Sequence, residues 1–177
     1  MFALQTAHAA TSAELLAGLR EQARALLEGE RDAIANSANL AALIFHTLPD
    51  LNWAGFYWMK DGELVLGPFQ GKPACVRIAL GRGVCGTAAR ERRTIVVPDV
   101  EKFPGHIACD SASRSELVVP VLSRHSLIGG NAEVLGVLDL DSPTTGRFDA
   151  EHAAALEALV ADFTAATDLD PPPGKMR

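Results

Sequence analysis

The sequence is short of positive charge. Sixteen Lys and Arg stand against 22 Asp and Glu in 177 residues, for a net charge of −6. The cations are scattered, apart from Arg90-Glu91-Arg92-Arg93, which reads as a solvated helix end. Phosphate binding needs a basic stripe, so nucleic acid is excluded as a main partner. Long apolar runs are missing too. The longest uncharged stretch, Ala33 to Pro49, contains Asn36, Ser37, Asn39 and His46, and reads as amphipathic rather than as a membrane span. Met1 to Ala13 has neither a Lys or Arg nor a long apolar run, so no signal peptide is expected. Cysteine is scarce: only Cys75, Cys85 and Cys109. An odd number without a signal fits a reducing compartment, and a cytoplasmic location is expected. Nine residues separate Cys75 from Cys85 and 23 separate Cys85 from Cys109. Structural zinc uses closely spaced ligand pairs, so no metal is expected. The lone Gly81-Arg82-Gly83 is too little for a dinucleotide fingerprint, and no cofactor is expected.

What is present suggests one α+β domain. Hydrophobic residues make up 48%, enough for a sizeable core. Thr11-Ser12-Ala13-Glu14 matches a capping box, and Leu15, Leu16, Leu19, Ala23, Leu26 and Leu27 recur at helical spacing up to Gly29. A second helix is predicted from Asp32 to Leu48, stopped by Pro49. Trp53 to Met59 reads as a strand, with a hairpin turn at Lys60-Asp61-Gly62-Glu63 and a return strand over Glu63 to Leu66. Further strands are predicted over Cys75–Leu80, Thr94–Val97, Ser115–Leu122 and Glu133–Leu140. A short helix is predicted from Val84 and an amphipathic one from Phe148 to Thr164. Hairpin-connected strands followed by helices make an antiparallel sheet, not alternating βαβ units. The divisions expected are an N-terminal helix over 1–29 packing on the domain, the domain itself over 30–165, and a disordered proline-rich tail over 166–177.

The three cysteines lie in the middle third. Cys109 sits in a polar loop, next to Asp110 and three residues after His106, a setting that favours an exposed, reactive thiol. His106 either tunes that thiol or ties down its own loop. Cys75 reads as the first residue of a strand and is either a half-buried packing residue or a second thiol. Cys85 opens a short helix, whose N-terminus favours a thiolate, but its glycine-rich turn also suits simple packing. Asp139 and Asp141 are two apart on one strand and so share a face. Glu116 starts the preceding strand. Together these acids could hold an ammonium and supply a proton. Trp53 and Tyr57 share parity on the first strand, as a core stripe or as the apolar wall of a small-ligand pocket.

Six blocks in order carry a resemblance. They are Asn52-Trp53-Ala54-Gly55-Phe56-Tyr57, Gly67-Pro68-Phe69-Gln70-Gly71, Gly81-Arg82-Gly83-Val84-Cys85-Gly86-Thr87, Phe103-Pro104-Gly105-His106-Ile107-Ala108-Cys109-Asp110, Ser115-Glu116, and Leu135-Gly136-Val137-Leu138-Asp139-Leu140-Asp141-Ser142. The chain resembles the free methionine-(R)-sulfoxide reductases, which are single-domain GAF proteins. The likeness runs over residues 30–165. It implies a single GAF-like domain, with a six-stranded antiparallel sheet, helices on both faces and a closed pocket. It implies that Cys109 is the oxidised nucleophile, that Cys75 is the resolving thiol, and that Cys85 lines the pocket or assists. Trp53, Tyr57, Glu116, Asp139 and Asp141 would contact the substrate. The one departure noted is a long hairpin, Ser123 to Glu133.

The chemistry that follows is thiol-dependent. Cys109 attacks the sulfoxide sulfur, an acid protonates the departing oxygen, and methionine leaves with Cys109 as a sulfenic acid. A second thiol closes a disulfide, which a thioredoxin-type partner reopens. Glu116, Asp139 and Asp141 all remain candidates for the acid. The resemblance also allows a homodimer. Two other readings compete: a non-catalytic GAF module that senses a small ligand, and a thiol-based redox sensor.

Overall fold

Thr11 starts the first helix as its sequence promises. In the computed structural model, which describes residues 11–107, 110–123 and 133–169, the Thr11 hydroxyl accepts the Glu14 N–H at 3.3 Å. The Glu14 carboxylate accepts the Thr11 N–H at 2.8 Å. This capping box opens α1 (Ser12–Leu27), and Gly29 follows with φ 78°. Asp32 caps α2 (Ala33–Thr47) by accepting the Ile34 and Ala35 N–H groups at 2.9 and 2.8 Å. The strands are β1 (Trp53–Lys60), β2 (Glu63–Gly71), β3 (Arg77–Ala79), β4 (Ile95–Val97), β5 (Ser115–Leu122) and β6 (Val134–Ser142). Between them lie α3 (Gly83–Glu91) and a 3₁₀ turn over Val100–Lys102; α4 (Ala150–Ala166) closes the described fold. The strands form one sheet in the order β3-β2-β1-β6-β5-β4, with every pairing antiparallel. No helix of the described residues is long and apolar enough to cross a membrane.

Strand parity divides the sheet into two faces. Ala54, Phe56 and Trp58 of β1, Leu117, Val119 and Val121 of β5, and Leu138 and Leu140 of β6 pack with α2 and α4. There Phe163 of α4 sits 5.1 Å from the Phe56 ring and 6.2 Å from Trp58, and α1 packs on α2 and α4. The opposite face carries a smaller cluster, in which Val84, Cys85, Ala88 and Ala89 of α3 meet Tyr57, Val118 and Val137. Helices therefore lie on both faces, and the larger core is on the α2/α4 side. Gly86 lets α3 reach the sheet: a Cβ there would stand 2.3 Å from the Ala79 carbonyl oxygen.

Two strands differ from expectation. β2 does not stop at Leu66 but runs on to Gly71, because β1 is long enough to keep pairing with it. Tyr57 pairs with Leu66 and Gly55 with Phe69, so Gly67 and Pro68 form a bulge opposite Phe56. A bulge is one of the few places a sheet accepts proline. β3 is shorter than expected and begins at Arg77, so Cys75 does not start a strand. Cys75 lies in the connector after Pro73, which has no N–H to offer, and β3 pairs only through Arg77, Ile78 and Ala79. The tail from residue 170 and the hairpin residues 124–132 lie outside the described residues.

The aromatic stack on the α4 face gives a stability prediction. Phe163→Ala removes a fully buried ring and should cost about 3–5 kcal/mol. Urea unfolding of the reduced protein measures this, and a loss under 1 kcal/mol would contradict the packing described.

Candidate active site

Register assembles the candidate residues. Trp53 of β1 pairs with Asp141 of β6, and Asp141 pairs in turn with Glu116 of β5. Gly55 pairs with Asp139, and Asp139 with Val118. All these residues have the parity of the α3 face, so residues more than 60 positions apart in sequence meet on three adjacent strands. α3 adds Cys85 from above. Gly55 keeps the aromatic wall flat. A Cβ there would stand 2.3 Å from Cβ of Phe69 and 2.7 Å from the Trp53 ring. Without it, Trp53 stacks between Phe69 at 5.3 Å and Tyr57 at 5.7 Å.

The polar groups of this pocket are nearly dry. Cys85 is a buried free thiol, with Sγ 3.9 Å from Glu116 Oε1. His106 places Nε2 3.3 Å from Glu116 Oε2. Asp139 is buried, and its Oδ1 has no hydrogen-bond partner among the described residues. Burial pushes all three carboxyls well above the usual carboxylate range. The Asp141 charge adds to the effect on Glu116, Glu116 adds to that on Asp139, and Asp139 to that on Asp141. Burial also raises the Cys85 thiol, with Asp139 and then Glu116 reinforcing it. The expected thiolate-stabilising effect of the α3 N-terminus is therefore outweighed by two acids and desolvation. Tyr57 is raised for the same reasons, burial first and Asp139 second. His106 is lowered by burial. Both directions work against an ion pair between His106 and Glu116.

The rim is ionic instead. Lys72 Nζ lies 3.2 Å from Asp110 Oδ2, and Asn52 Nδ2 donates to Asp110 Oδ2 at 3.3 Å and to Ser113 Oγ at 3.0 Å. Trp53 Nε1 donates to the Lys72 carbonyl at 3.2 Å. Asp110 is lowered, first by the Ala112 N–H and next by Lys72, and stays charged. The cavity enclosed is small, about 30 Å³, room for a water or two.

The structure thus brings Trp53, Tyr57, Cys85, Glu116, Asp139 and Asp141 to one cavity. Cys75 lies in the nearby connector and is disulfide-bonded. Cys109 lies outside the described residues. His106 reaches across to Glu116 and is not confined to its own loop. Sequence reasoning missed Lys72, Asn52 and Ser113. Lys72 stands between two quoted blocks, but only the fold reveals that it meets Asp110. The donor atoms of Cys85, Glu116 and Asp139 all lie within 4.8 Å of one another, and among the described residues they are the group able to surround a cation. An organic ammonium meets the same requirement as a metal ion.

Comparison with known proteins identifies the family. The GAF domain model matches residues 13–167. The chain belongs to the GAF domain family. Within it, the chain groups with the free methionine-R-sulfoxide reductases. It is 49% identical over 150 residues to the free methionine-R-sulfoxide reductase of Escherichia coli, covering 85% of this chain and 87% of that one. It is 55% identical over 133 residues to protein YtsP of Bacillus subtilis, covering 74% and 77%. The X-ray structure of free methionine-R-sulfoxide reductase from Neisseria meningitidis, in complex with its substrate, superposes with a TM-score of 0.86 at 40% identity, covering 94% of this chain and 95% of that one.

The buried acids of this GAF pocket make a pH prediction. Their pKa values are higher folded than unfolded, so the native state holds protons that the unfolded chain has released. Each such group contributes stability below its unfolded pKa, and that contribution is lost as pH rises through the folded value. His106, pushed down by burial, slopes the other way near its ordinary range. The quantity to measure is therefore the difference between Glu116→Gln and the parent. The variant should gain stability relative to the parent as pH rises from about 5 to 8. A flat or falling difference in urea midpoints would show that Glu116 is already ionised in the native state.

Proposed function

We propose that this protein reduces free L-methionine-(R)-sulfoxide to methionine. The observation that carries this reading is the convergence of three carboxyls, each raised above its usual range by burial, beneath the Trp53–Tyr57 wall, in a chain whose relatives include named reductases of this substrate. A sulfoxide oxygen is a poor leaving group until protonated, so a carboxylic acid that is neutral near pH 7 suits the task. Glu116 takes that part. It is buried beside His106, and the imidazole can pass it a fresh proton. Asp139 and Asp141 receive the substrate ammonium, whose charge would favour their ionised forms and satisfy the unpartnered Asp139 Oδ1. Trp53 and Tyr57 flank the thioether end.

The bonds balance in three steps. The Cys109 thiolate attacks sulfur and takes up the oxygen as it is protonated, giving methionine and a Cys109 sulfenic acid. The Cys75 thiol displaces water from that sulfenic acid and forms a disulfide. A thioredoxin-type dithiol then reduces the disulfide and is itself oxidised. The thiol states support this division, because Cys75 is disulfide-bonded while Cys85 is a free thiol whose pKa is raised by burial first and by Asp139 and Glu116 next. Such recycling suits a reducing compartment, the cytoplasm.

The test is thioredoxin-coupled NADPH oxidation with each epimer of free methionine sulfoxide and with its N-acetyl amide. Turnover should be confined to the free (R) epimer, since the amide lacks the ammonium that Asp139 and Asp141 would bind. Comparable rates on the amide would rule out this pocket chemistry. Among the thiols, Cys109→Ser should abolish even the first equivalent of methionine. Cys75→Ser should release that equivalent and then stall. Asp139→Asn and Asp141→Asn should lose catalysis with the circular dichroism spectrum unchanged. Loss of fold in both would mean that the acids are structural.

A further inference from the structure

We infer that the Lys72–Asp110 ion pair is a positioning device for disulfide closure, holding the Cys75 segment against the loop that follows Cys109. The inference rests on the thiol roles proposed above. A disulfide forms only when its two Cα atoms come within about 4.4–6.8 Å. Cys75 lies in no strand that could supply that precision. Between β2 and β3 the connector has one described backbone bond to the sheet, from the Leu66 N–H to the Val76 carbonyl at 3.0 Å.

Lys72 makes up for this. It is three residues before Cys75, and its backbone is held by the Trp53 indole, which donates to its carbonyl at 3.2 Å. Gly71 before it takes φ 121°, packed so closely that a Cβ would stand 2.6 Å from the Asn52 carbonyl oxygen. The connector thus leaves the sheet in one direction. Its ammonium then meets Asp110, the residue after Cys109 in the chain. Asp110 is itself fixed, since its carboxylate also accepts the Ala112 N–H at 2.9 Å and the Asn52 amide at 3.3 Å. Asn52 donates in turn to Ser113 Oγ and bonds through its own N–H to the Asp141 carbonyl at 3.0 Å. Both sides of the ion pair are therefore tied to the start of β1.

The pair adds little to stability. The Lys72 side chain is 69% exposed and that of Asp110 8%, and an ion pair open to water on one side contributes modestly to folding. Its value lies in geometry. When the disulfide is reduced, the ion pair remains, so the two segments stay near one another and the effective concentration of one thiol at the other stays high.

The test follows disulfide closure separately from methionine release. Reduced protein receives one equivalent of methionine-(R)-sulfoxide. Methionine is measured by chromatography, and sulfenic acid and disulfide by dimedone trapping and mass spectrometry. In Lys72→Met and Asp110→Asn, closure should slow about fivefold, the upper end of what a pair with a solvent-exposed lysine supports. Sulfenic acid should accumulate. Steady-state kcat should fall with KM falling in step, so that kcat/KM holds, because closure comes after the sulfoxide is committed. Lys72→Arg and the charge swap Lys72→Asp with Asp110→Lys should recover most of the closure rate. Unchanged closure in the single variants overturns the inference. So does a rise in KM at constant kcat, which would make Lys72 a contact for the substrate carboxylate. Closure driven by hydrogen peroxide separates this inference from the proposed function. If the parent releases no methionine, the reductase reading fails, while a fivefold closure defect under peroxide still upholds the positioning role.

Discussion

The pairing of β6 between β1 and β5 is the constraint on which the rest depends. Through it Trp53, Asp141 and Glu116 fall in one row, and Gly55, Asp139 and Val118 in the next. A slip of one residue in either pairing would turn Asp139 and Asp141 into the α2/α4 core and bring Leu138 and Leu140 into the cavity. Both faces of β6 are buried and chemically opposite, so such a slip would strand carboxyls among Phe56, Trp58 and Phe163. The register is therefore enforced by the side chains whose placement it determines.

Burial of three acids and a thiol works against the folded state, since each charged form is penalised by the loss of water. The penalty is eased by protonation, which the raised pKa directions describe. It is offset by the other face of the sheet, where α1, α2 and α4 cover an apolar layer with the larger share of the core. The two faces thus have different tasks. One supplies stability. The other uses it to hold a small polar cavity, with the small helix α3 as its cover.

Parity carried most of what the sequence could tell. Alternation on β1 and β6 was enough to put Trp53 with Tyr57 and Asp139 with Asp141, because both depend only on the period of a strand. Glu116 could be placed at a strand start, but its contacts with His106 and Cys85 cross 10 and 31 residues through loop and helix, and no local pattern records them. The misplacement of Cys75 has a similar cause. Val76 to Leu80 is apolar enough to look like a strand, while the length of β3 is set by how much of β2 is left unbulged to receive it. Lys72 gave no signal of its own, because its ion pair with Asp110 is a tertiary fact. Asp110 stands out only as the neighbour of Cys109, and nothing local ties it to a lysine 38 residues earlier.

The small cavity has a consequence for the order of events. The state described is one in which Cys75 is already bonded, and its cavity of about 30 Å³ is far too small for an amino acid. In the proposed cycle an oxidised molecule would hence turn away sulfoxide rather than hold it in a dead-end complex. Even at saturating substrate, the disulfide would stand free for its reductant. Substrate and reductant would then act on different forms of the protein.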